Sequence, residues 1–124
     1  MNEPACVLVV DDDRLTAELM GFALEDAGYR VATAEGCVDA LERLQEDRAI
    51  RVVVSDLHMP LMNGVELFQE MRRLGFEQPF VLLSAEDQPS PLLEHPGLAA
   101  VLRKDERILE TLPGTLARLL VVQP

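Results

Sequence analysis

The sequence predicts an α/β fold, a doubly wound parallel sheet of five strands with helices on both faces. Three observations carry that expectation. Apolar runs and helix-spaced patterns alternate from one end of the 124-residue chain to the other. The runs are apolar throughout rather than alternating with polar residues, which marks strands buried on both faces. Charged and hydroxyl side chains stand where those runs stop, at the strand ends where open parallel sheets hold their ligands.

The elements follow in order. "ACVLVV" (5–10) reads as the first strand, and Leu15, Leu19, Phe22 and Ala23 then recur at helix spacing until Gly28 supplies a stop. "YRVATA" (29–34) is the second strand, and Val38, Ala40, Leu41 and Leu44 mark the second helix. "IRVVVS" (50–55), rich in β-branched residues, is the third strand. Leu67, Phe68, Met71 and Leu74 give the third helix an apolar face that Gly75 ends. "PFVLLS" (79–84) is the fourth strand and "LAAVL" (98–102) a weaker fifth.

Two places spoil the regularity. Between the fourth and fifth strands, "EDQPSPLLEHPG" holds Pro89, Pro91 and Pro96, which leaves room for about one or two helical turns. The fourth helix is therefore expected to be short or irregular. In the last segment, Leu109, Leu112, Leu116 and Leu119 keep helical spacing, but Pro113 and Gly114 are expected to kink or split that helix. No repeat or linker-like tract divides the chain, so residues 1–124 are read as one domain.

Composition excludes some function classes. At 48% hydrophobic and 27% charged residues the chain is globular rather than disordered. No apolar run approaches the roughly 18 residues of a membrane span. "MNEPAC" offers neither a basic region nor a signal-like apolar stretch, so the expected location is the cytoplasm. Cys6 and Cys37 lack metal-ligand spacing and suit reduced, inert thiols. A net charge of −11 argues against direct contact with nucleic acid, which another chain or a missing domain would have to supply.

The strand ends carry the chemistry. In "VLVVDDD" (7–13), three adjacent carboxylates meet the end of a buried strand, where repulsion and desolvation both raise their pKa values unless a cation or hydrogen bonds intervene. Asp13 has a local role available, capping the first helix. Asp11 and Asp12 at the first strand, Asp56 at the third, Ser84 at the fourth and Lys104, the only lysine in the chain, would converge on one edge of the sheet. Three carboxylates suit a hard cation such as Mg²⁺, which takes one or two of them and keeps water and phosphate oxygens besides. A carboxylate beside a metal, a hydroxyl and an ammonium is an arrangement for phosphoryl transfer. Asp56, alone on a central strand, is best placed as nucleophile, with Asp11 and Asp12 holding the metal.

With "VLVVDDD", "VVVSDLHMPLMNG", "VLLSAED" and "VLRKD" standing in order, the chain resembles the receiver domains of two-component response regulators. The resemblance implies a flavodoxin-like fold, Asp56 as phosphoacceptor, Asp12 as a direct Mg²⁺ ligand and Asp11 helping to place the ion. It also implies that His58 coordinates Mg²⁺ through its backbone carbonyl, that Ser84 is the switch hydroxyl, and that Lys104 pairs with the phosphoryl group. A histidine kinase or histidine phosphotransfer protein would donate from a phosphohistidine, and a downstream effector or a missing output domain would read the result. A homodimer is compatible with such a domain, though no feature of the sequence encodes one. Apart from its own phosphoryl transfer and dephosphorylation, such a domain is not an enzyme.

The chain departs from the family pattern at Val101, where an aromatic residue is usual, and at Asp105, where a proline usually follows the lysine. The proline-rich segment lies where the family forms part of its output surface. These departures motivate a second reading, a receiver-like interaction module that works without phosphorylation. A third is a Mg²⁺-dependent phosphohydrolase using Asp11 as nucleophile and Asp13 as acid, but it leaves "SDLHMP" unexplained. His58 and His95 are expected at the surface, and Met59, Met62 and Met71 in core and loop packing. Leu119 to Val122 could be a partner face or core.

Overall fold

A computed structural model describes residues 5–85 and 97–121. Its strands are β1 (Cys6–Val10), β2 (Arg30–Ala34), β3 (Ile50–Asp56), β4 (Phe80–Ser84) and β5 (Ala100–Arg103). Its helices are α1 (Arg14–Asp26), α2 (Cys37–Glu46), α3 (Gly64–Arg73) and α4 (Ile108–Val121). The strands form one parallel sheet in the order β2-β1-β3-β4-β5. The short or irregular helix expected between the fourth and fifth strands, and His95 with it, lie outside the described residues.

Alternate residues of each central strand point to opposite layers, and both layers are apolar. Leu8, Val10, Val53 and Leu82 pack with Ala40 and Leu44 of α2 and with Leu67, Phe68 and Met71 of α3. Val7, Val9, Val52, Val54, Val81 and Leu83 pack with Met20 and Leu24 of α1 and with Leu112 and Leu116 of α4. That double coverage is why the strands read as unbroken apolar runs. Each fully buried Val or Leu contributes about 1.5–3 kcal/mol relative to exposure. Met71 is fully buried, and Met59 and Met62 pack against the α2–α3 layer, as expected. Leu119 and Leu120 pack against the other layer, and both cysteines are buried and unbridged.

Two helices end as their glycines predict. In α1, Gly28 adopts φ 100° while its N–H reaches Glu25 O and the Tyr29 N–H reaches Leu24 O. In α3, Gly75 adopts φ 92°, with Gly75 N–H to Arg72 O and Phe76 N–H to Met71 O. Both are Schellman closures, which need a left-handed residue after the helix.

Two helices refine what spacing alone shows. The stripe Leu15, Leu19 and Phe22 is exposed, and α1 instead buries Ala17, Met20, Gly21 and Leu24. Small residues at 17 and 21 let the helix backbone approach the sheet closely, so the bulkier stripe faces outward. The last helix is not split. It runs from Ile108 to Val121 through Pro113, which forgoes one main-chain hydrogen bond. Leu112 and Leu116, both fully buried, anchor it to the sheet beyond the proline as well as before it.

Candidate functional site

Four neighbouring strands converge at one edge. Asp11 follows β1, Asp56 ends β3, Ser84 ends β4 and Lys104 follows β5. Main-chain bonds carry the pairing to these positions: Asp11 N–H donates to Ala34 O (3.1 Å), Leu57 N–H to Leu83 O (2.8 Å) and Lys104 N–H to Ser84 O (2.8 Å). Residues separated by most of the chain are thereby fixed side by side.

The Asp11 carboxylate is buried, with one partner on each oxygen. Its Oδ1 accepts from the Asp13 N–H at 2.8 Å and its Oδ2 from Lys104 Nζ at 2.7 Å. Lys104 Nζ also lies 3.2 Å from Asp56 Oδ2, so one ammonium bridges two carboxylates. Asp12 is exposed at the mouth, and carboxylate oxygens of Asp11, Asp12 and Asp56 all lie within 4.8 Å of one another. This hard-oxygen donor set fits a divalent cation such as Mg²⁺.

Burial pushes the Asp56 carboxyl above its ordinary value. The charge and hydrogen bond of Lys104 and a bond from the His58 backbone N–H oppose that, while the charge of Asp11 adds to it. For Lys104, burial alone would lower the pKa, but the bond to Asp11 and the charges of Asp56 and Asp11 prevail and raise it. The ammonium is therefore held charged between its partners.

Among the residues singled out from sequence, Asp11, Asp12, Asp56 and Lys104 come together. Ser84 sits buried at the end of β4 beside the Lys104 backbone, and His58 is exposed two residues beyond Asp56. Asp13 caps α1, its carboxylate accepting from the N–H groups of Leu15 and Thr16 and from the Thr16 hydroxyl. That commitment to the helix end takes Asp13 away from the acid role of the phosphohydrolase reading.

Sequence reasoning missed the local reason for Gly64. A Cβ there would stand 2.6 Å from Asp56 O and 2.7 Å from Leu82 Cδ1, so only glycine lets α3 start against the end of β3. It also missed the capping box that starts that helix. The Asn63 side chain accepts from Glu66 N–H while the Glu66 side chain accepts from Asn63 N–H. The signal was present as Asn followed three residues later by Glu.

Known proteins share this fold. The CheY4 chemotaxis response regulator of Vibrio cholerae superimposes with a TM-score of 0.78 at 31% identity, over 95% of this chain and 97% of that one. TrrA of Thermotoga maritima, solved in complex with Mg²⁺-BeF, gives 0.80 at 25% identity over 92% and 97%. The transcriptional regulatory protein GlrR of Escherichia coli is 37% identical over 84 residues, which is 68% of this chain but 19% of GlrR. The sensor histidine kinase RcsC of Salmonella typhimurium is 40% identical over the same share of this chain and 9% of its own length. The chain thus matches one module of these longer relatives. Since residues 7–106 match the response regulator receiver domain and the whole fold is shared with a solved response regulator at 31% identity, the chain belongs to the response regulator receiver family.

Proposed function

We propose that this domain is a phosphorelay switch in which Asp56 accepts a phosphoryl group from a phosphohistidine of a histidine kinase or histidine phosphotransfer protein. The observation that carries the reading is the position of Lys104 Nζ, 2.7 Å from Asp11 and 3.2 Å from Asp56. An oxygen of Asp56 attacks phosphorus, the P–N bond to the donor imidazole breaks, and an acylphosphate forms on the carboxylate. Lys104 is close enough to neutralise the charge that gathers on the phosphoryl oxygens, and Ser84 brings a hydroxyl to the same edge. Asp11, Asp12, Asp56 and the His58 carbonyl would hold Mg²⁺. When bound, the ion supplies Lewis-acid neutralisation of phosphoryl oxygens. The TrrA complex with Mg²⁺-BeF, in a domain of the same fold, supports that assignment.

The modified residue gains about −1.5 to −2 charges. That charge biases the domain toward a surface read by an effector protein or by an output domain outside this sequence. Incubation with acetyl phosphate and Mg²⁺ should add one phosphoryl group to the intact mass of the wild type. It should add none to Asp56→Asn, nor to the wild type in a chelator. Absence of the adduct from the wild type would overturn the reading.

A further inference from the structure

Leu61 combines two unfavourable features. Its φ is 72°, the left-handed region where a Cβ crowds the backbone and glycine or asparagine is the usual occupant. Its side chain is 96% exposed, more than any other large apolar residue among those described. Beside it lies a hollow of about 170 Å³ walled by Gly36, Cys37, Val38, Pro60 and Leu61, with Glu35 and Asp39 at its edge. Val38, near the start of α2, is itself mostly exposed. Val38, in the first turn of α2, and Pro60 and Leu61, on a loop, thus form an apolar patch at the same sheet end as Asp56, and the loop carrying Leu61 leads directly from Asp56 into α3.

A protein that hands a phosphoryl group to Asp56 has to bring its donor nitrogen within bonding reach of a side chain that is only 11% exposed. Its surface therefore has to come down on the loops around that carboxylate, and this loop is one of them. Charge describes what should surround the contact. Glu35, Asp39, Asp12 and Asp13 offset the Arg14 and Arg43 nearby, and the whole chain carries −11. We infer that Leu61, with Val38 and Pro60, is a specificity-determining contact for the protein phosphodonor, which meets it with an apolar side chain set among arginines and lysines. The inference rests on Asp56 being the phosphoacceptor. A second copy of the chain fits less well, because two surfaces of the same strong negative charge repel.

The test uses the intact chain and every histidine kinase and histidine phosphotransfer protein of its source organism, each charged with labelled phosphate. The donor that transfers fastest to the wild type becomes the probe. Leu61→Gly tolerates the left-handed backbone and removes the side chain, while Leu61→Met restores apolar bulk. With that donor, Leu61→Gly should lose about tenfold or more in kcat/KM, through KM, as expected for one leucine removed from a buried contact. Val38→Ser should lose in the same direction, and Leu61→Met should stay near wild type. Labelling by acetyl phosphate should be the same in all four proteins. Wild-type transfer to Leu61→Gly, equal loss in Leu61→Met, or transfer from no protein donor while acetyl phosphate labels Asp56 would each overturn the inference. If acetyl phosphate fails to label the wild type, the phosphoacceptor reading falls instead.

Discussion

Strands β3 and β5 each deliver one charged group to the same pocket, yet they are built in opposite ways. β3, which ends on Asp56, is central, paired with β1 on one side and β4 on the other, and buried except at Arg51. β5, which leads to Lys104, is an edge strand paired with β4 alone, and its residues alternate between half-buried and exposed. The acceptor carboxylate therefore stands on the part of the sheet that is hardest to deform. The ammonium that answers it stands on a part held by half as many main-chain neighbours. Elements with few buried contacts are the ones that move at low cost, so the contrast assigns the fixed role to β3 and the adjustable one to β5.

The largest expected effect strikes the fixed side. Gly64→Val would drive a branched side chain into Asp56 O and Leu82, and should cost about 3 kcal/mol or more of stability. Gly64→Ala should cost less with the same sign, because its Cβ already falls at 2.6 Å from backbone. Urea titration measures both. Wild-type stability in either variant would mean that the end of β3 yields easily, against the contrast drawn here.

Mg²⁺ should act next in size. At a concentration one hundred times its Kd, an ion bound only by the folded state adds about 2.7 kcal/mol. The increment should shrink sharply in Asp12→Asn, whose exposed carboxylate completes the donor set, and a chelator should abolish it in the wild type. Thermal unfolding with and without the ion reads this directly. An equal gain in the wild type and Asp12→Asn would place the ion elsewhere.

A smaller effect concerns the proton on Asp56. Its carboxyl is held above the ordinary 3.8, chiefly by burial, so folding favours the protonated form. That contribution is complete below pH 3.8 and is lost as the pH rises through the folded-state value. Asparagine cannot ionise and keeps it. In metal-free buffer Asp56→Asn should therefore unfold at higher urea than the wild type at pH 7, with the gap narrowing as the pH falls toward 3.8 and below. A gap that widens on acidification would show that Lys104 overcompensates for burial at this site.

What could be read from sequence follows from which physical signals are local. The central strands were legible because burial on both faces leaves an unbroken apolar run. The convergence of Asp11, Asp12, Asp56 and Lys104 was legible because parallel strands place their carboxyl ends on one edge. The buried face of α1 was not, since Leu15, Leu19 and Phe22 satisfy helical spacing as well as Ala17, Met20, Gly21 and Leu24 do. Hydrophobicity ranks the first set higher, and only the close approach of the helix to the sheet favours the second. Spacing also gave no hint that Lys104 would sit nearer to Asp11 than to Asp56, or that Leu61 would take a left-handed backbone. Both depend on distances between loops. Pro113 left a kink and a split equally open, and the buried Leu112 and Leu116 on either side of it are what keep the helix in one piece.

The smallest effect tests the contrast most directly, by making one chemical change in both strands. Val53 on β3 is fully buried among α2 and α3 residues, whereas Val101 on β5, in register with Leu82, is 38% exposed. Val53→Ala removes two methyl groups from a closed core and should cost about 2 kcal/mol, a transfer loss plus a cavity. Val101→Ala removes the same atoms from an edge that water already reaches, and should cost about 0.5 kcal/mol. Hydrogen exchange should agree, with β5 amides opening well below the global unfolding free energy and β3 amides only near it. If the two substitutions cost the same and the two strands exchange together, β5 is clamped as firmly as β3. Movement at Lys104 would then have to be shared by the whole sheet.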